Sequence, residues 1–347
     1  MRALVGPTAL AGTLFYSGLA RAVVTSGAPG HLPQDRITAA GTPINGIDHD
    51  GVGFVETVTQ DPVTDFIAGS SGSASLLWTG RHLLTAAHVI TNNQGMINVS
   101  PSTNPVFTSK ITFNTTAGDL VYEFRYNPQR PNIFIHPNWD GSFLDGGDLA
   151  IIDLGQTVDE IVPRYNIYTG DTANLIDTAY TQFGYGRSGI GTQATNFGGG
   201  TKRWGMNTID LAQDDKQLLN GDFDNGNTAN DYFGALDFDT YGGFEFATGL
   251  GDVESGIAQG DSGSAAFITI DDENYLFGVP SYGIADIREV DVTDALDFSF
   301  GESFGFASTS PAQDWIFQAV AIPEPGALTL TLVGAATVLV RQRRRRH

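Results

Sequence analysis

The chain has 347 residues, 41% of them hydrophobic, and a formal net charge of -21. It is long enough to bury a sizeable core as one large domain or two smaller ones. Its acidity argues against nucleic acid or an anionic membrane as the partner of the folded body, since both need clustered Lys and Arg. Cysteine is absent, which excludes disulfides, thiolate zinc sites and a cysteine nucleophile.

Residues 1–22 carry the features of a secretory signal: Met1-Arg2, a mostly apolar run over 3–19, and the small-x-small sequence Ala20-Arg21-Ala22. Residues 23–36 are rich in Gly, Pro and Ser and read as an unstructured leader or propeptide, ending at the basic step Arg36-Ile37. From Gly51 onward the pattern changes to short strands over 52–58, 74–78 and 82–85, separated by Gly- and Asp-bearing turns. That spacing predicts an all-β sandwich or barrel.

The apolar run ending in Thr85-Ala86-Ala87-His88 puts a histidine at a strand end, with two small residues that let the chain turn closely beneath the ring. Further on, Asp148 stands at the mouth of the apolar strand Leu149-Ala150-Ile151-Ile152. Burial there demands hydrogen bonds to its carboxylate, which suits either an aspartate holding a histidine or a turn cap. Gly260-Asp261-Ser262-Gly263-Ser264 then forms a glycine-flanked turn that can expose a serine hydroxyl beside free backbone N–H groups. A nucleophile, a base and an orienting carboxylate are the minimum set for acyl transfer.

Taken together these motifs resemble the chymotrypsin-like serine proteases: Thr-Ala-Ala-His, Asp-Leu-Ala-Ile and Gly-Asp-Ser-Gly in the order His, Asp, Ser. Phe183-Gly184-Tyr185-Gly186, Ser281-Tyr282-Gly283 and the helix-like segment from Ser310 to Phe317 are similar to minor signatures of that family. The resemblance implies two six-stranded antiparallel Greek-key β-barrels and a short C-terminal helix. It sets a protease domain over 37–320, with barrel one near 37–165, barrel two near 166–307 and the helix near 311–320. It also implies catalysis by His88, Asp148 and Ser262, an oxyanion hole from the N–H groups of Gly260 and Ser262, and no cofactor.

In many members of that family a newly cut N-terminal amine pairs with the aspartate before the nucleophile. Here that implies Ile37, freed after Arg36, on Asp261; the alternative is that Arg36 and Ile37 merely enter the first strand. The resemblance places Gly256 at the base of the primary pocket, Gly283 on its wall and Gln259 at its rim, with Ser281, Tyr282 and Gly283 pairing with substrate. An uncharged P1 side chain is expected, unless Asp252, Glu254 or Asp286 reaches the pocket. Asp222 and Asp224 fall in an oxygen-rich loop that admits two readings, a Ca²⁺ site or a solvated acidic loop.

The last residues run Pro323-Glu324-Pro325, a short apolar stretch over 327–340, and an arginine cluster. The stretch is shorter than the roughly 20 residues of a spanning helix. This order resembles the PEP-CTERM sorting signal of Gram-negative bacteria, which implies a tail over 321–347 processed by an exosortase-type membrane protease. The combined expectation is an exported endopeptidase at the cell surface or beyond. Its partners are peptide substrate, signal peptidase and the sorting protease, with transient membrane association through the tail. The alternatives are a catalytically silent surface binding protein and a matrix component.

Overall fold

A computed structural model describes residues 23–60, 67–102, 108–193, 198–234, 249–285, 290–293 and 295–321. The expected signal peptide, nearly all of the sorting tail, and Asp286 lie outside them. Among the described residues no helix is long and apolar enough to cross a membrane.

The chain opens with a two-residue strand β1 (Val24–Thr25) and continues into a sheet of seven strands. These are β2 (Val52–Gln60), β3 (Ile67–Leu76), β4 (His82–Thr85), β5 (Ser109–Thr115), β6 (Gly118–Phe124), β7 (Ile133–Ile135) and β8 (Ala150–Asp153). They pair in the order β6-β5-β2-β3-β4-β8-β7, antiparallel throughout. Period-two patterning explains β5: Ser109, Ile111, Phe113 and Thr115 are buried while the residues between them are not. In β4 every residue is buried, His82 and Thr85 as well as Leu83 and Leu84, so it shows no alternation.

The second half contributes β9 (Asn166–Ile167), β10 (Ala179–Gly184), β11 (Gly189–Ile190), β12 (Arg203–Thr208), β13 (Leu211–Gln213), β14 (Leu218–Asp222), β15 (Ser255–Gly256), β16 (Ala265–Ile270), β17 (Glu273–Ile284) and β18 (Ser303–Ser308). Eight of these form one sheet in the order β12-β10-β16-β17-β18-β14-β13, with β9 added alongside β17. Tyr180, Phe277 and Phe306 fill its interior with edge-to-face ring contacts. A small third sheet places β1 between β11 and β15. The helix α1 (Gln313–Ala321) closes the body, burying Ile316 and Ala319 and setting Trp315 edge-on against His136.

The architecture is the expected all-β double barrel with one C-terminal helix, although the two main sheets hold seven and eight strands instead of six each. One expectation is corrected. Residues 23–36 are not an unstructured leader: Val23, Val24 and Thr25 are buried, and β1 is the central strand of its sheet. Two β-branched residues were enough to form this strand because β11 and β15 supply both of its partners.

Candidate active site

The serine turn lies where the two main sheets meet. Gly260 has φ +97° and Gly263 φ +75°, conformations that side chains with a Cβ rarely adopt. A Cβ on Gly263 would also collide with Thr85 Oγ1 and the Ser73 carbonyl. The turn is thus pressed against the first sheet, and the Ser73 N–H donates to the Ser262 carbonyl at 2.9 Å. Asp261 N–H donates to the Ala258 carbonyl, and Ser264 N–H to that of Asp261. Among the described residues the N–H groups of Gly260 and Ser262 have no acceptor. Two unclaimed donors beside an accessible serine hydroxyl form a place where negative charge on oxygen would be stabilised.

His88 sits on the 3-10 turn Ala87–Val89 that follows β4. Its Nδ1 lies 2.7 Å from Asp148 Oδ2, and its backbone N–H donates to Asp148 Oδ1 at 2.9 Å. The Ser281 hydroxyl donates to the same Oδ2 at 2.5 Å. Asp148 is wholly buried, so these three donors supply what solvent would otherwise provide. The carboxylate fixes the ring so that Nε2 faces the cleft, which both His88 and Ser262 line. No hydrogen bond joins His88 to Ser262 among the described residues, and this contact commonly tightens only once substrate is bound.

Asp261 is 2% exposed, yet its carboxylate accepts three backbone N–H groups: Val23 at 2.9 Å, Gly186 at 2.9 Å and Ala258 at 2.8 Å. Burial pushes its pKa up to about 6, against the pull of those donors and of Arg203. A Cβ on Gly184 would strike this carboxylate, which accounts for glycine in the Phe183-Gly184-Tyr185-Gly186 strand. The partner expected for Asp261 was Ile37, and the structure places Val23 there instead. Ile37 is 48% exposed and bridges Arg203, whereas Arg36 is buried, donating to the Val253 carbonyl and lying 4.1 Å over the Trp204 ring. The Arg36 side chain is thus folded into the body, 1% exposed. Val23 itself has φ +39°, a left-handed conformation strained for a β-branched residue.

The cleft, of about 350 Å³, is lined by Gln259, Ser281, Tyr282 and Gly283 as expected. Gly256 is not part of that lining; it is buried, with a Cβ there lying 3.3 Å from the Phe223 ring. Gly283 does not leave an open wall, because Phe298 and Leu296 pack against it. With Ile257 these give the cleft an apolar side. Glu254 is turned away, its two oxygens accepting N–H from Asp224 at 3.0 Å and Leu250 at 2.8 Å, and Asp252 is exposed outside the lining. Phe143, stacked edge-on against His88 at 5.1 Å and braced by Trp139, was not anticipated. The signal available was the apolar pair Phe143-Leu144 between the polar residues Ser142 and Asp145.

Asp222 and Asp224 are both buried, which removes the solvated-loop reading for these two acids.

A family model described as Trypsin matches residues 53–292. None of the curated proteins compared matches the chain significantly.

Proposed function

Because the chain belongs to the chymotrypsin-like serine protease family, we propose that it is an exported endopeptidase acting through Ser262, His88 and Asp148. The observation that carries this reading is the His88 ring held by the buried Asp148, itself pinned by Ser281, on the same cleft as Ser262 and two unclaimed N–H groups. Ser262 Oγ attacks the peptide carbonyl while His88 Nε2 takes its proton. His88 Nδ1–H stays bonded to Asp148, which stabilises the imidazolium. The N–H groups of Gly260 and Ser262 hold the oxyanion, where a single donor is worth about 3 to 4 kcal/mol. His88 returns the proton to the leaving amine, and water then resolves the acyl-enzyme by the same route.

Activation follows from the signal sequence. Cleavage after Ala22 makes Val23 the N-terminus and turns the N–H on Asp261 into an ammonium, replacing a neutral hydrogen bond by an ion pair. It also removes the peptide bond that fixes Val23 at positive φ. Signal-peptide removal thereby completes the oxyanion turn, with no separate propeptide. The C-terminal tail is read as the sorting signal that delivers the protein to the surface or exterior.

Ile257, Leu296 and Phe298 favour an uncharged, apolar P1 residue. Peptide-library hydrolysis by the mature protein tests both points. Apolar P1 residues are expected to exceed Arg, Lys, Asp and Glu by at least 100-fold in kcat/KM, in line with the cost of an unpaired buried charge. A preference for charged P1 would overturn the specificity, and hydrolysis surviving Ser262→Ala would overturn the mechanism.

A further inference from the structure

Where Phe223 packs against Gly256, β14 runs into a loop that gathers acids from distant parts of the chain. One carboxylate oxygen from each of Asp222, Asp224 and Asp231 lies within 4.8 Å of the other two. Asp210 and Glu254 adjoin them: Asp210 Oδ2 accepts the Asp222 N–H at 3.0 Å, and Glu254 Oε1 accepts that of Asp224. Four of the five are buried, and among the described residues none forms an ion pair with Lys, Arg or His. Burial, reinforced by mutual repulsion, pushes the carboxyls of Asp210, Asp222, Asp224 and Glu254 upward.

A second observation points to a ligand. Asp210 is 1% exposed and its Oδ1 is fully buried without a hydrogen-bond partner, in a carboxylate that feels the charges of Glu254, Asp224 and Asp231. Asn225, in the same loop, has another buried oxygen without a partner. A proton on one of the neighbouring acids would ease the repulsion and could answer one of these oxygens, but not both. A cation, with the water it carries, answers both.

We propose that Asp222, Asp224 and Asp231 bind a Ca²⁺ ion, with Asp210 and Glu254 as the surrounding shell. The donors are all oxygen, with no His or Cys among them, which disfavours zinc. Their spread also fits, since two oxygens bound to one Ca²⁺ at about 2.4 Å lie at most roughly 5 Å apart. The ion would tie together β14, the Asp224–Asp231 loop and the segment leading into β15. Phe223, between two of the ligands, packs under Gly256, so the site would also hold the floor behind the cleft.

This site stands independently of catalysis and is tested on the mature Ser262→Ala protein, which cannot digest itself. After EDTA treatment the protein is titrated with CaCl₂ by calorimetry, and its Tm is followed. One Ca²⁺ per chain is expected, with Kd between about 10⁻⁶ and 10⁻³ M and a Tm that rises with Ca²⁺ concentration. Asp231→Asn, on the half-buried ligand, should weaken binding at least tenfold with an unchanged circular dichroism spectrum, and Asp224→Asn provides a second variant. No heat and no Tm change up to about 10 mM Ca²⁺, above the weakest range for such sites, would overturn the proposal. So would undiminished binding in both variants, or Mg²⁺ acting as well as Ca²⁺.

Discussion

Asp261 and Asp210 are both almost wholly buried, 2% and 1% exposed, but their oxygens meet opposite surroundings. Asp261 is encircled by donors: three backbone N–H groups converge on it, one of them from Val23. Asp210 receives one N–H and otherwise faces other acids, with one oxygen left without a partner. Asp148 belongs with Asp261, since the His88 ring, the His88 N–H and the Ser281 hydroxyl all converge on it. A buried acid among donors is already complete and holds the groups around it in place. A buried acid among acids needs protons or a cation before its surroundings are complete.

The contrast is broken or sharpened by removing charge from each kind of acid. The largest effect is expected at Asp148: Asp148→Asn should lower kcat about 10⁴-fold, because the amide favours the wrong His88 tautomer. Stopped-flow or steady-state assays check this, and a loss below tenfold would deny Asp148 its role. Asp261→Asn should lower kcat about 10²- to 10³-fold, the worth of a damaged oxyanion hole. A mature form retaining Ala22 before Val23 should show a similar loss, because its amide cannot form the ion pair.

The acid cluster should respond in the other direction. In EDTA, Asp224→Asn relieves repulsion and should raise Tm by a few degrees, on the order of 1 kcal/mol, while abolishing the gain from Ca²⁺. Asp261→Asn should lower Tm in the same buffer. The smallest effect concerns Glu302, whose pKa burial pushes up to about 9 and whose Oε2 has no partner. Its folded pKa lies above the unfolded value of 4.5, so its contribution is full below pH 4.5 and is lost as pH rises toward 9. The Tm difference between wild type and Glu302→Gln should therefore shift against wild type across that window, and a constant difference would contradict the assignment.

His88, Asp148 and Ser262 were legible as candidates because each sits in a local string that reports its own setting: two alanines before His88, an apolar strand after Asp148, glycines around Ser262. Local strings do not report long-range partners. Val23 pairs with an aspartate 238 residues away, and the Gly- and Pro-bearing segment behind it concealed the two-residue strand. The small-x-small sequence ending at Ala22 directly precedes Val23, but nothing nearby linked it to Asp261. Likewise, alternation exposed Asp222 and Asp224, while Asp210, Asp231 and Glu254 joined them only through the sheet and loop geometry. The pocket floor was misjudged because Phe223, Leu296 and Phe298 approach the glycines from other elements.

The most direct test is fluorophosphonate labelling of the secreted protein, with its N-terminus sequenced. The expected result is an N-terminus at Val23 and one label per chain on Ser262, lost in Ser262→Ala and slowed about 100-fold or more when Ala22 is retained. Undiminished labelling of Ser262→Ala, or no labelling of the Val23 form, would contradict the account.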